Sequence, residues 1–214
     1  QIQPRPVGFK FHAVMMVDSA RRLAASDGGI EGWVPILWNL DYFKFSQQRN
    51  LQQGGWQLKP FDDQVPTPEQ SLALLHNALL ARDEMAVDAA AVAVARQHGV
   101  NRVFEVLAHF SVRDFHSIGH KAIYLCHSWR LFQLNGGEQA ETVIRALAYA
   151  LIADGNVSPQ DAHWTRDDYC RNLGRARRIP LAAMRTGSDA EVTSQLVDLL
   201  ATGSADECCE AVAE

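Results

Sequence analysis

Signals that start and stop helices recur along this chain, and no convincing alternating strand pair stands between them. Thr67-Pro68-Glu69-Gln70 puts a hydroxyl at an N-cap, a proline at the first helical position and a Gln three residues after the cap. This capping box precedes Leu72, Leu75 and Leu79, and the spacing predicts a helix to about Ala81. The same grammar returns at Ser188 with Glu191 and at Ser204 with Glu207, while Ser158-Pro159 opens another helix with Asp161 in the third position. Gly99, Gly155, Gly174, Gly187 and Gly203 each follow a periodic segment, where a left-handed glycine ends a helix. Between these marks lie Glu84 to His98, Val103 to Phe110, the apolar Phe115 to Leu134, and Glu138 to Ala153.

The expected fold is therefore all-α: a single domain over 1–214, about eight to ten helices in a bundle or irregular array. A solenoid would need a fixed repeat of about 33 to 47 residues, and none is found. Residues 52–66, with Gly54-Gly55, Pro60, Asp62-Asp63 and Pro66, read as the one extended loop, a rim or lid. Ser204 to Glu214 reads as an unfinished amphipathic helix, so a further segment, a homo-oligomer or a second chain is expected to complete the core.

Twenty basic against twenty-five acidic side chains, net charge -5, argue against a general nucleic-acid or anionic-membrane binder. No run approaches the roughly 18 apolar residues of a membrane span. Cys126, Cys170, Cys208 and Cys209 lack C-x-x-C spacing and read as reduced thiols, which gives a cytoplasmic expectation.

Histidine placement is the most unusual feature: His109, His116, His120 and His127 fall within nineteen residues. On one helix from Phe115 to Leu134, His120 lies about 40° and His127 about 20° around the axis from His116. His116 and His120 then have the i, i+4 spacing of a metal pair, while His127 sits roughly 10 Å farther along, too far to share the ion. Glu105 and His109 form a second i, i+4 pair on the preceding helix, and two antiparallel helices each offering two ligands is how bundles build carboxylate and histidine metal sites. Iron, or another divalent metal such as zinc or manganese, suits that donor set. The plainer account is packing, with imidazole N–H groups bonded to carbonyls and Asp114 as the helix N-cap. A third is acid–base work by His120 with His116 and Asp114. Gly119 would let a neighbour approach closely, and Lys121 reads as a snorkelling cation.

Trp33, Trp38, Asp41, Tyr42, Lys44 and Gln47 form a second cluster, most simply an Asp41–Lys44 ion pair beside core aromatics. His12 and Asp18, on the early segment Lys10 to Leu23, are in a position to converge on the central helix. Arg171, Arg175, Arg177 and Arg178 read as a solvated helix end whose cations complement the dipole. No G-x-G-x-x-G, P-loop, H-E-x-x-H or G-x-S-x-G is present.

The stretch Asp114-Phe115-His116-Ser117-Ile118-Gly119-His120-Lys121-Ala122-Ile123 resembles the histidine-bearing helix of questin-oxidase-like proteins. Trp38 to Lys44, Trp-Asn-Leu-Asp-Tyr-Phe-Lys, is similar to a segment of certain bacterial helical proteins. The match covers about a tenth of the chain. It implies an all-helical oxidoreductase that inserts oxygen into a carbonyl-containing aromatic substrate with NADPH as donor, and it carries over His120 and, less securely, His116. The expected function is an oxidoreductase-like protein with a histidine-lined pocket, metal-binding or carbonyl-polarising, for a carbonyl-containing or aromatic small molecule. The competing expectation is a non-catalytic helical interaction module or a subunit of a larger assembly.

Overall fold

In the computed structural model, which describes residues 12–26, 28–61, 65–113, 119–153, 163–179 and 189–214, the helix signals become an all-α architecture. The helices are α1 (His12–Ser26), α2 (Val34–Gln52), α3 (Pro68–Ala81), α4 (Glu84–His98), α5 (Val100–Ser111), α6 (His120–Leu134), α7 (Ala140–Ala153), α8 (His163–Ala176), α9 (Ala190–Thr202) and α10 (Ala205–Ala213). A short 3-10 turn, Ile30–Trp33, leads into α2, and no strand occurs among the described residues. The helices fall into two compact units, α1 to α7 and α8 to α10.

The core of the first unit follows from the composition of α4. Its Val87, Ala90, Ala91 and Val94 are buried, and their small side chains let α3, α5 and α7 approach on several sides. Leu75 and Leu79 of α3, Val103 and Leu107 of α5, Ile144 and Leu147 of α7 and Tyr124 of α6 complete one apolar cluster. At about 25 cal/mol per Å² of apolar surface, this burial is the main drive for folding. A charge pair buried inside it joins α4 to α7: Arg145 Nε donates to Asp88 Oδ1 at 2.6 Å and Nη2 to Oδ2 at 2.7 Å. Arg145 Nη1 also donates to the Lys59 carbonyl at 2.8 Å, which straps the 52–66 loop to the core. Gln97 holds the loop's far end through the Pro66 carbonyl at 2.7 Å, and the Trp56 ring meets Tyr149 edge-on.

Local signals are met unevenly. Pro68 opens α3 and the helix ends at Ala81, yet Thr67 makes no capping bond to the backbone. Its hydroxyl instead bonds Glu69, whose carboxyl is held low by its own amide and by that hydroxyl. Ser204 and Glu207 form the full capping box of α10. Asp189 caps α9 by accepting from the Glu191 and Val192 amides, the task assigned above to Ser188, which lies outside the described residues with Ser158, Pro159, Asp161, Gly155 and Gly187. Gly174 lies inside α8 and stops nothing. Arg82, not a glycine, takes the left-handed position after α3.

In the second unit, Arg175 of α8 donates to Asp206 and Glu210 of α10, both at 2.8 Å, and Arg178 also pairs with Glu210. These two arginines are ties between helices rather than a solvated end, because Asp206 and Glu210, one turn apart on α10, both meet them. The two carboxylates hold the Arg175 guanidinium well above its ordinary pKa.

Candidate functional site

The site is built on α1 and α6, which run parallel. At one end the His12 and His120 rings meet edge-on with centroids 5.6 Å apart. About two turns along, Asp18 of α1 faces His127 and Arg130 of α6. The convergence expected of His12 and Asp18 on this helix is therefore formed. On α6, Tyr124 follows His120 by one turn with ring centroids 5.7 Å apart, and His127 follows by two, so three rings share a stripe.

The helix that carries this stripe is shorter than the spacing predicts. Gly119 sits at φ 83°, in the left-handed region, and a continuous right-handed helix cannot pass through such a residue. α6 begins at His120, directly after this glycine. His116 and Asp114 themselves lie outside the described residues. Glu105 and His109 lie on the exposed side of α5, opposite its buried Val103, Phe104 and Leu107. Glu105 pairs with Arg102 on its own helix. Among the described residues no group of three His, Cys, Asp or Glu side chains is arranged to hold a metal ion. Two imidazoles, His12 and His120, are the donors brought together.

Burial shapes the electrostatics. His12 is held below the usual imidazole pKa, first by burial and then by the neighbouring His120, so it is neutral near pH 7. His127 is held low by burial and by Arg130, against the pull of Asp18, and its buried Nδ1 has no hydrogen-bond partner. Asp18, only 3% exposed, accepts from Arg21 Nη2 at 3.1 Å and Arg22 Nε at 2.8 Å. Burial would raise its pKa, but these guanidinium bonds outweigh that and hold the carboxyl low. Lys121 does not snorkel: at 5% exposure its whole side chain is inside.

The second aromatic cluster also differs from expectation. Lys44 donates to Gln47 at 3.2 Å rather than pairing with Asp41. Trp33 and Trp38 are 59% and 51% exposed, and Trp38 stacks on Tyr42. What α2 buries instead is Asn39, Ser46 and Asn50. Its polarity is inverted, a pattern that its periodicity contained and that a search for core aromatics passes over.

No family model matches this chain, and neither a curated protein nor a solved structure does. The class that the fold defines is an all-α protein with no helix, among its described residues, long and apolar enough to cross a membrane.

Proposed function

We propose that this chain is an oxidoreductase-like helical protein whose α1–α6 imidazole cluster receives a carbonyl-containing or aromatic small molecule. The observation that carries the reading is the edge-on His12–His120 pair beside Tyr124. A neutral His12 is an acceptor or general base, and the His120 N–H is a donor to a carbonyl oxygen as charge develops on it. The half-buried His120 ring, backed by the core residue Tyr124, offers a face to an aromatic substrate. NADPH as electron donor and oxygen as co-substrate belong to this proposal through the resemblance at Asp114 to Ile123. Iron or another divalent ion is its metal-bound variant, with His12 and His120 as the donors at hand and His116 the further histidine in sequence. The test is turnover of NADPH and oxygen with aromatic carbonyl compounds, beside elemental mass spectrometry of protein purified without chelator. His120→Ala and His12→Ala should each lower turnover by about 100-fold or more while helicity stays unchanged. Undiminished turnover, or loss of helicity equal to loss of turnover, would remove the assignment.

A second reading is favoured by α2. Ile30, Trp33, Val34, Leu37, Trp38 and Leu51 are exposed on the outer side of a segment whose inner side is polar. Their exposed surface comes to roughly the 800 Å² that one partner gives a standard interface. On this reading the chain is an interaction module, and a second copy covers the face. Light scattering should then give a dimer that Leu37→Asp converts to a folded monomer; a monomeric parent protein at all concentrations would rule it out.

A further inference from the structure

We propose that the far end of the α1–α6 seam, formed by Arg22 and Arg130 with His127, binds an oxyanion group, the carboxylate or phosphate of a small molecule. The inference deepens the reading of the imidazole cluster by saying what its ligand carries, and it rests on that reading only for placing both groups on one molecule.

Three guanidiniums gather on one carboxylate. Arg21 and Arg22 donate to separate oxygens of Asp18, and Arg130 Nε approaches Oδ2, the oxygen already taken by Arg22, at 3.8 Å. At that distance Arg130 makes an ion pair without a hydrogen bond. One buried negative charge thus faces three positive ones, in a chain whose overall charge is -5. The local excess is not a general property of the surface. Arg22 and Arg130 are half-exposed, so their remaining N–H donors are open to a ligand as well as to water.

A second observation comes from His127. It lies close enough to Asp18, Arg22 and Arg130 to feel all three charges, and its buried Nδ1 has no partner. This imidazole backs the two forked cations, whose half-exposed N–H groups are the donors that a ligand oxygen reaches. A carboxylate or phosphate offers two or more oxygens, one for the Arg130 fork and one for Arg22. His127 stands seven residues beyond His120 and Arg130 ten, so the anionic group would stand about 10–15 Å from a carbonyl held at His120. The implied substrate is an extended organic acid or phosphate ester with its reactive carbonyl at the opposite end.

The test uses inorganic phosphate and benzoate as separate probes, followed by thermal shift and titration calorimetry at constant ionic strength balanced with chloride. The expected result is a saturable rise in Tm with at least one probe; the one that gives it distinguishes phosphate from carboxylate. Arg130→Gln should weaken binding by about tenfold, Arg130→Lys by less, and Arg102→Gln, at the α5 ion pair, not at all. Arg130 is the residue of choice because Asp18 keeps both of its hydrogen bonds without it. No rise beyond chloride, or equal affinity in Arg130→Gln, would overturn the site. Anion binding that survives His120→Ala supports it whatever becomes of the carbonyl chemistry.

Discussion

Removing either member of the Arg145–Asp88 pair should cost more stability than any other single polar substitution in the α1–α7 unit. Both side chains are about nine-tenths buried, and the pair is bidentate at 2.6 and 2.7 Å. Burial alone would lower the Arg145 pKa, but the bonds and charge of Asp88 raise it, so the guanidinium stays charged at any pH at which the protein folds. Arg145→Met strands a carboxylate among apolar neighbours, a change that costs about 3–5 kcal/mol when one partner of a buried pair is lost. It also takes the donor from the Lys59 carbonyl and the cation from the Phe61 ring, together about 1–2 kcal/mol more. Arg145→Met/Asp88→Leu has no stranded charge and should recover most of the first loss, giving a coupling energy of about 2–4 kcal/mol. Urea unfolding followed by tryptophan fluorescence suits the test, because Trp33, Trp38, Trp56 and Trp129 all belong to the first unit. Single variants within about 1 kcal/mol of the parent, or a double variant whose loss is the sum of the two, would refute the reasoning.

Gly203 ends α9 with φ -84°, so it is glycine for space rather than for backbone freedom: an added Cβ would stand 2.8 Å from the Leu199 carbonyl oxygen. Gly203→Ala should loosen the α9–α10 link by about 1–2 kcal/mol and speed disulfide-reagent labelling of the half-buried Cys208 and Cys209; unchanged labelling rates would contradict this. His12 and His127 both have folded pKa values below the ordinary 6.5 of an imidazole, so the unfolded chain binds their protons more tightly and their contribution, full above that value, is lost as pH falls below it. Tm should therefore drop between about pH 7 and 5, with a shallower drop in His12→Gln/His127→Gln; an identical slope in the double variant would exclude these histidines as the source.

What could be read from the sequence was local. Pro68 and Glu84 mark helix starts because a proline or an N-terminal carboxylate acts within one turn, and the α3 and α4 boundaries follow them. The failures share a cause. Gly119 has no side chain to betray a left-handed turn inside an apolar run, so a helix from 115 to 134 was the natural expectation while α6 starts at His120. Asp88 and Arg145 stand 57 residues apart, and nothing in either segment names the other. Asp18 with Arg21 and Arg22 was legible by i, i+3 and i, i+4 spacing, whereas Arg130 reaches it only because α1 and α6 run parallel. The same limit applied to metal ligation. Spacing put Glu105 and His109 on one face of α5, but only packing decides which face looks inward, and theirs is the exposed one.

Most of the unsatisfied buried polar atoms lie on the helices around α1 rather than on those of the α4-centred core. Where α3, α4, α5 and α7 meet, apolar side chains fill the space and the buried Asp88–Arg145 pair is fully bonded. On α1, α2 and α6 the rule is broken more often: Asn39 Oδ1, Ser46 Oγ and His127 Nδ1 are buried without partners, against Gln97 Oε1 alone on α4 among the described residues, and Asp18 carries more positive charge than it can neutralise. Each such atom costs about 1–3 kcal/mol, so three together are a sizeable fraction of a domain's stability. The α4-centred core supplies the surplus that lets the fold tolerate them. Three of the four lie on α2 and α6, both of which pack against α1, and this is what a binding surface requires: polar groups held ready by a rigid neighbour and left for something else to satisfy.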